Sequence, residues 1–190
     1  TLETKRLELK PLLPGQLRLW IEDSLLLEKQ LRCSYQAEPL GALFEIVKGQ
    51  LKMAEKNPDD YYGIPFGSLF AKLIGLSLAL SFLRMFQYET GGEIGYGLGK
   101  EFEHNGYMTE AVQVLCEWAM EQKSVTHIIA ETDLDGFASQ CILQRCGFAE
   151  YKREKTIWLL LAGENAHATH LIQTKQTYAA KYVIGKETGT

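Results

Sequence analysis

The stretch from Glu93 to Ala119 constrains this chain more than any other part of it. Glu93 to Gly99 reads as a short strand whose Gly95, Gly97 and Gly99 weaken a ladder but permit close backbone approach. Met108, Ala111, Val112, Leu115, Trp118 and Ala119 then fall on one face at spacings of three and four, which predicts an amphipathic helix starting near Gly106. A strand, a glycine-bearing loop and a helix start therefore follow one another directly.

Elements of both periods surround this unit. Leu7, Leu9 and Leu12 bracket Glu8 and Lys10 as a strand before Pro14. From Pro14 to Asn57 the pattern is helical, with Leu17, Trp20 and Ile21, then Leu43, Ile46, Val47, Gln50 and Leu51, ended by Pro58. Ile64 to Ala71 and Leu73 to Met85 read as two strands joined by a turn near Lys72, and Thr90, Gly91 and Gly92 as the next turn. His127 to Thr132 is expected as a strand, Ala138 to Cys146 as a helix stopped by Gly147, and Phe148 to Leu161 as one long final strand. The tail 162–190 follows neither period and is expected to add a strand or an exchanged arm, which leaves a homodimer open. No linker divides the 190 residues, so residues 1–161 are expected to form one domain.

Composition removes several function classes. With 46% hydrophobic and 23% charged residues the chain matches ordinary globular usage. A net charge of −4 without a Lys/Arg block argues against nucleic acid. The apolar run Ile64 to Phe86 is interrupted by Lys72 and Arg84 and punctuated by glycines, so no membrane span is expected. Glu3, Lys5 and Arg6 open the chain without a signal-peptide core, and Cys33, Cys116, Cys141 and Cys146 lack disulfide-scaffold spacing; both point to the cytoplasm. His167 and His170 have no partner set at zinc-site spacing, so no metal is expected.

The junction around Gly106 has a definite chemistry. The first turn of a helix carries unpaired N–H groups and a positive dipole end, and a glycine there lets an anion approach the backbone. A plain helix-start glycine fits the same residues. The lysine of a nucleotide P-loop is missing, and only one glycine matches a dinucleotide G-x-G-x-x-G turn.

Four stretches carry a resemblance: T-K-R-L-E-L-K-P-L (residues 4–12), E-I-G-Y-G-L (93–98), G-Y-M-T-E-A (106–111) and A-S-Q-C-I-L-Q-R-C-G-F (138–148). The chain resembles the GNAT superfamily of acyl-CoA-dependent N-acyltransferases, in particular its RimJ/RimL-like branch, which acetylates protein N-termini. The resemblance implies a single-domain α/β (α+β) fold with a mixed, mostly antiparallel sheet flanked by helices. Two central strands would splay to admit the pantetheine arm of acetyl-CoA, the co-substrate, with Gly97, Leu98 and Gly99 bordering the gap. The family's pyrophosphate loop, Gln/Arg-x-x-Gly-x-Gly/Ala, maps onto Glu103, His104, Asn105, Gly106, Tyr107 and Met108, with Thr109 following. Ser139 fits the third motif.

Departures fall at informative places. Glu103 stands where relatives carry Arg or Gln, Met108 where a small residue is usual, Gly136 where Asn is common, and Leu143 where many members carry a tyrosine that protonates the leaving thiolate. The implied reaction is direct attack of a neutral amine, on a small molecule or a peptide N-terminus, upon the thioester. The backbone N–H near Leu98 would stabilise the oxyanion. Glu93, where the superfamily often places a carboxylate, is the first candidate for base, with Glu131, Asp133 and Asp135 as a secondary cluster. Tyr96 and Tyr107 read as packing residues. The competing reading is a module that binds acyl-CoA without turning it over, as a sensor or assembly partner.

Overall fold

The computed structural model describes residues 1–31, 43–56, 66–73, 76–85, 91–98, 100–122 and 125–163. In chain order these form β1 (Leu2–Glu3), β2 (Glu8–Pro11), α1 (Pro14–Glu22), α2 (Ser24–Leu31), α3 (Leu43–Lys56), β3 (Phe66–Leu73), β4 (Leu76–Met85), β5 (Gly91–Leu98), a 3-10 turn (Lys100–Phe102), α4 (Tyr107–Met120), β6 (His127–Asp133), α5 (Phe137–Arg145), β7 (Ala149–Arg153) and β8 (Thr156–Ala162). The strands make one sheet in the order β1-β2-β3-β4-β5-β6-β8-β7. Every neighbouring pair is antiparallel except β5–β6. A parallel pair needs a crossover, and the 3-10 turn and α4 supply it. The mixed α/β architecture expected from the resemblance is present.

The apolar stripe of α4 organises the main core. Met108, Ala111, Val112, Leu115, Cys116 and Ala119 are buried against Leu7 and Leu9, Ile94 of β5, Ile128 and Ala130 of β6, Leu143 of α5, and Ile157 and Leu159 of β8. A second cluster joins Leu12 to Leu17 and Trp20 of α1, Leu27 of α2 and Val47 of α3. Trp118, read as part of the α4 stripe, sits at its border and is 37% exposed, while Cys116 takes the inward place.

Several sequence expectations change. Phe148 to Leu161 is a hairpin, β7 and β8, not one strand: Arg153, Glu154 and Lys155 interrupt the apolar run, and the Glu154 N–H donates to the Thr156 carbonyl at 3.0 Å. The register of that hairpin shifts between Glu150 and Lys152, a bulge that leaves Tyr151 as the extra residue. Gly91 and Gly92 belong to β5 and are not a turn. β3 runs through Lys72 to Leu73, so its connection to β4 falls after that lysine. Cys33, Gly99, His167, His170 and the tail from residue 164 lie outside the described residues.

Gly91 matters because of its neighbour. A Cβ there would lie 2.4 Å from Nε2 and 2.6 Å from Cε1 of His127, the first residue of β6 and fully buried. Only a residue without a side chain lets the two strands close at this end.

Candidate active site

From that closed end, β5 and β6 remain paired for three residues, Gly91 to His127, Gly92 to Ile128 and Glu93 to Ile129. Beyond Glu93 they part. Gly95 to Leu98 continue paired with β4, and Glu131 to Asp133 continue paired with β8, so the sheet forks without losing either outer ladder. Gly97 and Leu98 stand on the diverging β5 arm. Across the fork the Tyr96 hydroxyl donates to the Ser139 carbonyl at 3.1 Å, tying β5 to the first turn of α5. Burial pushes the Tyr96 phenol well above its ordinary range, outweighing that hydrogen bond, and keeps it protonated. Its hydroxyl is therefore engaged with the backbone.

At the open end the chain enters the loop Glu103–Gly106 and then α4. His104 (φ 61°) and Gly106 (φ 76°) both take left-handed backbone, and Asn105 between them braces the turn by donating from Nδ2 to the carbonyls of Phe102 (3.2 Å) and Glu103 (2.8 Å). The first helical bond of α4 runs from the Glu110 N–H to the Gly106 carbonyl. The N–H groups before it, from Gly106 through Thr109, have no partner within the helix and form the anion-accepting end. A Cβ on Gly106 would meet only Arg6 Nη2, at 3.6 Å, so the positive φ and not crowding selects glycine here.

Side chains around this cradle separate by role. Glu103, His104 and Asn105 are exposed, which leaves the Glu103 carboxylate in water. Met108 is 3% exposed and packs in the core, so its side chain takes no part and only its backbone faces the loop. Tyr107 lies under the Arg6 guanidinium, 4.6 Å from the ring centroid. Thr109 presents its carbonyl to the Cys146 thiol at 3.6 Å. Arg6 was not singled out by sequence reasoning, although it lies within the first resembling stretch.

On the opposite sheet face a second group assembles. Side chains alternate along a strand, so Glu93 faces away from Ile94 and onto the side of its partner Ile129. Ile129 and Trp158 form a small cluster there with Tyr151 and Leu160. Glu131 is paired with Trp158, and its Oε1 accepts from the Thr156 hydroxyl at 2.6 Å. Burial raises the Tyr151 phenol to about 12, and the negative charges of Glu131 and Glu93 push in the same direction. Sequence reasoning missed Tyr151, which the bulge turns onto this face. Asp133 and Asp135 are exposed; Glu131 and Asp133 of the secondary cluster stand on β6 and Asp135 just past its end.

Leu143 is fully buried, so the position where relatives carry a tyrosine belongs to the core. α5 ends as glycine demands: Gly147 at φ 88°, its N–H on the Gln144 carbonyl and that of Phe148 on the Leu143 carbonyl. Gly136 begins α5 with no side-chain cap, and a Cβ there would sit 3.1 Å from the Asp133 carbonyl oxygen. Among the described residues no three His, Cys, Asp or Glu side chains gather as a metal site, and no helix is long and apolar enough to cross a membrane.

Comparison with known proteins gives this geometry a lineage. In solved structures the fold is similar to a RimL ribosomal L7/L12 alpha-N-protein acetyltransferase in complex with coenzyme A, with TM-score 0.62 and 12% identity over 86% of this chain and 97% of that one. It is also similar to a ribosomal-protein-S5-alanine acetyltransferase from Vibrio fischeri, with TM-score 0.61 and 14% identity over 86% and 96%. The Bacillus subtilis (strain 168) protein named uncharacterized N-acetyltransferase YjdG is 38% identical over 66 residues, a match that spans 32% of this chain and 39% of that protein. The family model described as an acetyltransferase (GNAT) domain matches residues 42–149, more than half of the chain. The chain belongs to the GNAT acetyltransferase family.

Proposed function

We propose that this protein transfers an acetyl group from acetyl-CoA to an amine, a peptide N-terminus or a small amine, by direct attack. The observation that carries the reading is the fork: a parallel pair that closes over three residues and then opens, with an anion-accepting helix start beyond its open end. The extended pantetheine arm, with its two amides, needs a slot with free backbone edges, and a pyrophosphate needs unpaired N–H groups. In this reading Gly97 and Leu98 border the arm, the loop Glu103–Gly106 with the N–H groups of Tyr107, Met108 and Thr109 holds the phosphates, and Ser139 lines the far wall. The RimL structure that this fold resembles was solved with coenzyme A, which supports the choice of ligand.

The chemistry divides between backbone and side chain. The Leu98 N–H stabilises the developing oxyanion. Glu93, at the last closed pair of the fork, takes the proton of the attacking amine directly or through a water. Glu131 beside it adds negative charge that favours a cationic acceptor. Tyr151, held protonated near neutral pH, is a donor on the same face. Transfer through Cys116 or Cys146 is disfavoured: burial raises the Cys116 thiol and, chiefly by the same cause, lifts Cys146 to about 11, so neither supplies thiolate at neutral pH. Acetyl-CoA is an intracellular metabolite, which supports a cytoplasmic location.

A panel of peptides and small amines, incubated with acetyl-CoA and assayed for free thiol, tests this. Thiol release that depends on the amine is expected. Stabilisation by coenzyme A without thiol release from any amine would instead establish a binding module that does not turn over.

A further inference from the structure

Arg6 touches three residues of the cradle at once, Glu110, Asn105 and Tyr107, and the acetyl-transfer reading does not use it. Its Nε donates to Glu110 Oε2 at 2.7 Å and its Nη2 pairs with the same oxygen at 2.7 Å. Its Nη1 donates to the Asn105 carbonyl at 2.9 Å, and its plane covers the Tyr107 ring. Nη2 lies 3.6 Å from the place a Cβ of Gly106 would occupy. The turn behind it adds two more bonds to Glu110 Oε1, from the Arg6 N–H at 3.0 Å and from the Thr4 hydroxyl.

Stability alone does not account for so many contacts. The Arg6 side chain is 39% exposed, and an ion pair so open to water contributes about 0–1 kcal/mol. The loop it touches has a specific need. His104 is a non-glycine residue in left-handed backbone, a conformation that costs about 1–2 kcal/mol and persists only when its surroundings hold it. The Arg6 bond to the next carbonyl, that of Asn105, is such a hold. Glu110 creates a second need. Its carboxylate lies in the first turn of α4, where an uncancelled negative charge would oppose a phosphate. Burial tends to raise this carboxyl, but hydrogen bonds from Thr4 and Arg6 and the Arg6 charge bring it below its ordinary value, so it is ionised and cancelled by Arg6.

We propose that Arg6 is a positioning residue for the phosphates of coenzyme A: its fork spans Glu110 and the Asn105 carbonyl, fixing the Glu103–Gly106 loop in its anion-accepting shape and cancelling Glu110. The inference rests on the acetyl-CoA reading. Lysine carries the same charge without a planar fork and cannot make both contacts in this geometry.

NMR titrations with acetyl-CoA and with S-acetylpantetheine, which lacks the pyrophosphate and nucleotide, test it. Arg6→Gln is expected to weaken acetyl-CoA tenfold or more and to leave S-acetylpantetheine within twofold, and Arg6→Lys to lose most of the same affinity. A purely structural role moves both ligands together, and that result, or wild-type acetyl-CoA affinity in Arg6→Lys, overturns the proposal. Wild-type protein that binds neither acetyl-CoA nor coenzyme A defeats the acetyl-transfer reading itself. Should the variants not fold, the Arg6 Nε–H resonance of the wild type decides: it is expected to shift with coenzyme A and not with pantetheine, and an unmoved signal overturns the proposal.

Discussion

At Gly91 the side chain of β5 has given way to a neighbour's ring, whereas at Gly95 and Gly97 the same strand has no β6 residue opposite it. Both ends use glycine, for opposite reasons. The closed end is selected by packing: His127 is fully buried and fills the space a Cβ would need. At the open end β5 runs without β6 beside it, and Tyr96 and Ser139 bridge the fork through one hydrogen bond. Glu93 sits at the vertex, the last residue paired to β6 and the first from which the strands part. In the proposed reading one end of the pair is rigid and the other admits the ligand, and substitutions at each place separate the two.

The largest effect is expected at the vertex. A primary amine arrives mostly as ammonium near neutral pH and attacks only after losing a proton, so Glu93→Gln should lower turnover about a hundredfold, within the range general-base groups contribute. Acetyl-CoA affinity should stay nearly unchanged, because the cradle lies at the other end of β5. Wild-type turnover in this variant moves the role of base to Glu131 or to an ordered water. An alkaline titration of the same variant should also show the Tyr151 phenol ionising below the value of about 12 set by burial and the two carboxylates, by a modest step because burial is the larger cause.

Closing the other comparison, Gly91→Ala should act on stability and not first on ligand. The added methyl meets a buried ring at under 3 Å, an overpacking expected to cost about 1–3 kcal/mol. At roughly 2–4 °C per kcal/mol for a chain of this size, calorimetry should find Tm lowered by about 2–12 °C. An unchanged Tm would mean that the ring of His127 swings aside freely and that the closed end is not pinned there.

Gly106→Val probes the open end. The space beside Gly106 is free apart from Arg6 Nη2, so the penalty comes from φ 76°, which costs a side-chain-bearing residue about 1–2 kcal/mol. Loss of about tenfold in acetyl-CoA affinity by calorimetry is expected, with the helix intact by circular dichroism. Unchanged affinity would leave Gly106 as an ordinary helix-start glycine.

These two glycines also show what the sequence discloses. Gly106 is legible because its signal is local: a strand, a loop and a helix stripe lie within one short stretch, and the buried Met108, Ala111, Val112, Leu115 and Ala119 repeat at helical spacing. Gly91 reads as a turn residue because its reason, the His127 ring, arrives 36 residues later through a parallel crossover. Tyr151 is hidden for a related cause. Its orientation depends on a bulge within β7, and no periodicity marks a bulge in a run that reads as one strand from Phe148 to Leu161. Arg6 is plain in sequence, but its contacts depend on the α4 start folding back beside the N-terminal turn.

The smallest expected effect belongs to Glu103, and it sharpens the description of the open end. Glu103 is exposed, so its charge acts on a bound phosphate through water and not by contact. Two unit charges about 10 Å apart in water interact by about 0.4 kcal/mol. Glu103→Arg exchanges a repulsive charge for an attractive one, a change of about twice that, which corresponds to roughly fourfold tighter coenzyme A binding at low salt. At about 0.15 M ionic strength the screening length falls to about 8 Å, so most of the gain should disappear there. Calorimetry at two salt concentrations reads both numbers. A gain that survives high salt would place the new guanidinium in direct contact with the phosphates, and no gain at low salt would put position 103 beyond their field, leaving the backbone N–H groups and Arg6 as the whole of the anion site.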